Sequence, residues 1–213
     1  ALVVESAVPT AQTEAMELYQ RSLVEFRKGA PYMPLLLQAV ALDPNLAGAH
    51  VQIAAERVFH FNAELSRKHY RKAVELVGKL DEKQRIFLDA LEPLILEQPS
   101  NWAESIRRFS KAVEKFPNDA QFWFYLAAVT ANFEDFGQAN RHLAEALRID
   151  PEFASARSML AMNSAYEGHF AAAESAAEEC SKVVPDSVLC MRLIANLRSH
   201  EGRAKQWRKL RGE

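Results

Sequence analysis

Apolar side chains along this chain return at helical spacing rather than in strict alternation with polar ones. Tyr19, Leu23 and Phe26 share one helix face. Ile86, Phe87, Ala90, Leu91 and Leu94 share another, and Trp102, Phe109 and Ala112 a third. Breakers separate these stripes: Gly29, the turn Asp43-Pro44-Asn45, Gly78, Pro117, Pro151, Pro185 and Gly202 stand where a helix would stop. With only 7 Gly and 9 Pro, nearly all at such stops, the pattern predicts short amphipathic helices and argues against an all-β chain with its many turns.

The helical stripes repeat at one fixed interval. Trp102, Phe136 and Phe170 are 34 residues apart, as are Ser105, Ala139 and Ala173, then Ala112, Ala146 and Cys180, then Pro117, Pro151 and Pro185. Leu126, Leu160 and Ile194 keep the same step, as do Ala127, Ala161 and Ala195. Several independent columns sharing one period predict stacked helix-turn-helix units, none able to bury its apolar face alone. After a lead-in at 1–12 the units fall at 13–46, 47–80, 81–119, 120–153 and 154–187, with a partial one at 188–213. The third unit carries five extra residues, which the bracketing Pro93 and Pro99 assign to a connection over 92–98. Thr13, Asp81 and Ser100 are the expected helix caps.

At Trp123, Leu126 and Ala127, followed by Ala139, Leu143, Ala146 and Pro151, the unit 120–153 resembles a tetratricopeptide (TPR) repeat. The next unit agrees through Leu160, Ala161, Gly168, Phe170, Ala173, Cys180 and Pro185. Departures are Ala127 where the family prefers Gly and Thr130 where it prefers Tyr. The resemblance implies an all-α fold, an α-solenoid of stacked antiparallel helix pairs wound as a TPR-like right-handed superhelix. It also implies that the first helix of each pair lines a concave face. That face would carry Gln121, Phe124, Tyr125, Ala128 and Asn132, then Ser155, Ser158, Met159, Met162 and Tyr166, then Leu189, Arg192, Asn196 and His200. Met and Tyr together suit an adaptable apolar surface with hydrogen-bonding tips, so the expected partner is a protein or peptide segment. A clamp for a terminal carboxylate would need Lys, Arg and Asn on three successive pairs, and only Arg192 and Asn196 fit. The stretch Leu80 to Leu91 also resembles repeats appended to bacterial signalling kinases and cyclases, which gives the alternative of a spacer or sensory arm.

Composition narrows the chemistry. A net charge of -2 gives no general attraction to nucleic acid or to acidic membranes, and no run reaches the apolar length of a membrane span. The basic residues Arg203, Lys205, Arg208, Lys209 and Arg211 near Trp207 read as a solvated terminal helix favouring the negative end of its dipole. Six histidines are scattered without metal-ligand spacing, and no motif for a nucleophile, phosphate loop or metal is present. The expectation is a non-enzymatic chain with no metal and no cofactor. Cys180 takes a column otherwise held by alanine and reads as a packed, unreactive thiol, with Cys190 as a more exposed one. Two cysteines fit a reducing, cytoplasmic setting, with periplasmic and extracellular ones left open. Oligomeric state is not encoded in any of these features.

Overall fold

In a computed structural model, residues 10–60, 62–133 and 135–211 are described, with side chains through 199 apart from that of His60. Residues 1–9 of the lead-in, and the side chains of His200 and of the C-terminal basic residues, lie outside that description. Twelve α-helices form among the described residues, and no strand does. They are α1 (Ala11–Lys28), α2 (Met33–Leu42), α3 (Ala47–Ala55), α4 (Arg57–His60), α5 (Ala63–Glu75) and α6 (Glu82–Ile95). Then follow α7 (Trp102–Lys115), α8 (Ala120–Ala131), α9 (Phe136–Ile149), α10 (Ala154–Tyr166), α11 (Phe170–Val183) and α12 (Val188–Arg211).

Local chemistry sets these boundaries. The second helix of each pair tends to begin behind a short polar cap: Asn62 accepts from the Leu65 amide, Asn101 from Glu104 and Asp135 from Gln138. Asp81 and Gln84 form a reciprocal capping box at the start of α6. Two caps differ from the sequence expectation. Thr10 rather than Thr13 caps α1, and Asn101 rather than Ser100 caps α7. Trp102, Phe136 and Phe170 each open the second helix of their pair, which is why their spacing equals the repeat.

The extra residues of the third unit are distributed differently from the expectation, because α6 runs through Pro93 to Ile95. Proline lacks the N–H that would bond to the Asp89 carbonyl. The Arg108 guanidinium fills that vacancy, donating to the Asp89 carbonyl oxygen at 2.9 Å while pairing with Glu92 and Glu104. Beyond the helix, the Ser100 hydroxyl donates to the Leu94 carbonyl and the Asn101 amide to that of Pro93, so the exposed end of α6 is satisfied before α7 begins.

Small residues hold the pairs together. Ala39, Ala73, Ala112, Ala146 and Cys180 occupy one column and are all essentially inaccessible. Ser66, Ser105, Ala139 and Ala173 occupy a second, equally buried column, in which the Ser105 hydroxyl donates across to the Ala90 carbonyl. Between the helices runs one continuous apolar core from Phe26 through Tyr70, Leu91 and Phe109 to Tyr125 and Ala156.

The array also closes on itself. The first helix packs on the tenth as well as on its own partner. The Phe26 ring lies 4.9 to 6.5 Å from the centroids of Tyr32, Phe59, Phe124, Tyr125 and Phe153. The Ser155 hydroxyl donates to the Phe26 carbonyl, Arg27 makes a two-pronged pair with Asp150, and the Leu189 amide donates to the Gly29 carbonyl at 3.0 Å. Gly29 permits that meeting. Its φ of 66° is left-handed, and a Cβ there would lie 2.7 Å from the Ser187 hydroxyl and 2.9 Å from the Leu189 Cβ.

Two substitutions test this architecture by urea denaturation. Ala146→Leu should cost about 1–3 kcal/mol through overpacking of the helix seam, and a neutral result would displace that seam. Gly29→Ala should also cost about 1–3 kcal/mol, because it strains the backbone and wedges the two ends of the array apart. An unchanged midpoint there would mean that the ends do not meet.

Candidate functional site

Closure leaves a cavity of about 870 Å³ on the inner side of the array. One wall is the corner between α1 and α2, with Phe26, Pro31 and Tyr32. The floor takes Val58 and Phe59 from α4 and Phe124 and Ala128 from α8, with Asn132 at the edge just past the end of α8. The opposite wall comes from α10, with Ser155, Ser158, Met159, Met162 and Tyr166, and the rim from Leu189 and Arg192 of α12. Its lining is mostly aromatic and aliphatic, with a few polar groups among them, which is the composition expected of a recognition cavity.

The residues expected on the concave face sit at different depths. Phe124, Ala128, Ser155 and Ser158 are buried in the walls, and Met159 is half-buried. Met162 and Tyr166 reach solvent at 37% and 68% exposure, enough to offer a ligand apolar surface. Asn132 and Arg192 are exposed at the edges. Gln121, Tyr125 and Asn196 are not among the lining residues. Gln121 instead donates to Gln52 at 3.2 Å. Tyr125 is only 2% exposed, stacked with Phe109 and edge-on to Phe87, and burial pushes its phenol pKa upward. The walls contributed by Phe26, Tyr32 and Phe59 are not legible in the repeat pattern, since they arrive through closure. The one local signal for them is Gly29 after an aromatic stripe.

The polar groups are largely committed. The Tyr32 hydroxyl donates to the Glu56 carboxylate, and burial followed by neighbouring Tyr125 and Glu56 holds that phenol protonated far above its usual range. The Asn132 amide donates to the carbonyls of Val58 and Ala128. Asn163 donates to the Asn140 side-chain oxygen at 2.8 Å. The Ser158 hydroxyl is buried and makes no hydrogen bond among the described residues. Arg192 makes no ion pair among the described residues, whereas Arg198 on the same helix is held by Glu174 and Glu178.

The two cysteines require a correction. Cys180 and Cys190 are joined as a disulfide, and both are fully buried, so neither is the free thiol the sequence pattern suggests. The bond ties α11 to the first turn of α12, next to Leu189 and two residues before Arg192, and thereby fixes the rim.

A second hollow, of about 1030 Å³, lies along α5 and is lined by Arg67, Lys68, Arg71, Lys72 and Glu64, the mixture of a solvated face. At its edge two of the scattered histidines meet. The Nδ1 atoms of His50 and His69 are 2.8 Å apart between stacked rings. The His50 Nε2 faces the Pro44 carbonyl, which can only accept, so Nε2 carries the proton there. His50 Nδ1 therefore accepts from His69 Nδ1–H, and both rings are neutral. Burial, reinforced by His50 and Lys68, lowers the His69 pKa to about 4. Burial, with Lys72 and Lys68, outweighs the Pro44 carbonyl and Asp43 in lowering that of His50. No group of three or more His, Cys, Asp or Glu able to hold a metal occurs among the described residues.

No protein-family profile matches the chain, and no curated protein does. Among solved structures it is similar to YrrB, a TPR protein with an unusual peptide-binding site, at 19% identity over 85% of this chain and 89% of that one, with a TM-score of 0.46. The TPR domain of P58(IPK) shares 17% identity over 92% of this chain and 58% of that one, at 0.47. MamA from residue 41 to its end, from Desulfovibrio magneticus RS-1, shares 14% over 82% and 97%, at 0.46. The class is set by the chain's own helix pairs: it is an all-α, TPR-like array of stacked helix hairpins. No helix among the described residues is long and apolar enough to cross a membrane.

The histidine pair predicts an acid-sensitive fold. Both pKa values lie below the usual 6.5, so unfolded chains take up protons first as pH falls. Stability is full above about 6.5 and is lost as pH drops toward about 4. Melting should fall by roughly 3–8 °C across that window, and His69→Gln should flatten the slope. A slope unchanged in His69→Gln would mean the pair is not the cause.

Proposed function

We propose that this chain is a non-catalytic interaction module that holds a peptide or protein segment in the cavity between the α1–α2 corner and α10, as a scaffold or regulatory part of a larger assembly. The observation that carries the reading is the exposure of Met162 and Tyr166 inside a concavity whose deeper walls are aromatic. Apolar side chains left facing solvent within a cavity usually mark recognition. The thioethers of Met159 and Met162 adapt to different side chains at low cost, and Tyr166 stacks on Phe136 at 5.8 Å as a preformed platform. Glu56, the carboxylate in the wall, is engaged by Tyr32, which fits a surface built to bind.

Peptides selected on the parent protein by display should lose at least about tenfold in affinity for Met162→Asp, which places a charge in the apolar wall. Val183→Asp alters an equally exposed apolar residue that is not in the lining, and should leave affinity unchanged. Failure to select any peptide, or equal losses in both variants, would overturn the reading.

A further inference from the structure

We propose that the bound segment is acidic as well as apolar: a bulky side chain enters between Phe59 and Met159, and the carboxylate of a neighbouring Asp or Glu pairs with Arg192. This rests on the peptide-binding reading of the same cavity and adds a charge requirement to it.

Among the described residues only two charged side chains line the cavity, Glu56 and Arg192. Glu56 is 5% exposed and accepts from the Tyr32 hydroxyl, so the cavity's negative charge lies inside and engaged. Arg192 is exposed at the rim and makes no ion pair among the described residues. The same helix shows what a paired arginine looks like, since Arg198 reaches both Glu174 and Glu178. Among the described residues Arg192 is thus the charged group that a ligand meets at the rim, and a guanidinium suits a carboxylate through paired donors.

The α10 wall supplies the apolar surface beside that cation: Met159 is half-buried, and Met162 and Tyr166 are 37% and 68% exposed. A cation at the rim next to an apolar wall describes an acidic side chain adjoining an apolar anchor. The disulfide at Cys190 holds the first turn of α12, so Arg192 is presented from a tethered element.

The test uses fluorescein-labelled nonapeptides with a central Leu or Trp, flanked by Asp, Ser or Lys, and amidated at the C-terminus so that no terminal carboxylate contributes. Fluorescence anisotropy on the intact, oxidised protein should show Asp-flanked peptides binding about three- to tenfold tighter than Lys-flanked ones, with the difference shrinking as salt rises. Arg192→Glu should invert that order, and Arg192→Gln should abolish the preference, both with unchanged helical circular dichroism. If the three peptides bind alike, or Arg192→Glu leaves the order intact, while Met162→Asp still abolishes binding, the acidic requirement is wrong and the peptide cavity stands. If none of the peptides binds, the cavity reading falls with it.

Discussion

The burial of Phe26 is the contact on which the rest of this molecule depends. An ordinary helical-repeat array is quasi-one-dimensional, with each unit touching only its neighbours, and its ends are free to fray. Here the last turn of α1 reaches across the concave side and places one ring among five others drawn from three units, its own, the second and the fourth. Aromatic pairs of this kind contribute about 0.5–1.5 kcal/mol each beyond the apolar area they remove from water. The Arg27 pair with Asp150 and the Gly29 contact with Leu189 then lock the register of that insertion. Contacts between the first unit and the last two couple the ends of the stack, so the first helix cannot open without exposing the centre of the core.

The cavity is a direct product of this closure. The first helices α1, α8 and α10 meet around Phe26, which fills part of the concave side. What is left lies where helix ends and the α1–α2 corner fail to fill space, and its walls inherit core residues on one side and solvent-facing ones on the other. A site made this way has a rigid aromatic floor, because Phe124 and Phe59 are themselves held by Phe26. Its variable part is the α10–α12 rim, where Met162, Tyr166 and Arg192 sit on single helix faces.

How legible each of these contacts is in the amino-acid sequence depends on whether it repeats. Columns separated by one repeat length can be read directly, because stacking between adjacent units is periodic. Ala39, Ala73, Ala112 and Ala146 are small for the same steric reason in every pair. Contacts that cross the array have no period, so the Phe26 cluster leaves no linear signal, and the meeting of His50 with His69 inside the second unit leaves none because no other unit repeats it. Pro93 misleads for a local reason: a proline predicts a helix end unless another group takes the orphaned carbonyl, and Arg108 lies in the next helix. Cys180 reads as a substitute for alanine, which its burial supports, while its partner ten residues on lies outside the repeat logic altogether.

Among the described residues, the buried cluster at the C-terminal end of the array is small, and this bears on the rim. Its cluster consists of Ala154, Cys180 and Cys190 with Val184 beside them, small side chains that bury little area. Phe170, Val188 and Met191 remain exposed around it. Besides its packing on α10 and α11, the described part of α12 has further restraints: the disulfide to α11, the Arg198 pairs with Glu174 and Glu178, and the Leu189 amide on Gly29. Each of these fixes the position of α12 without filling the space beside it. A rim restrained at these points keeps Arg192 beside the aromatic floor, which is what the proposed binding of a segment both apolar and acidic requires.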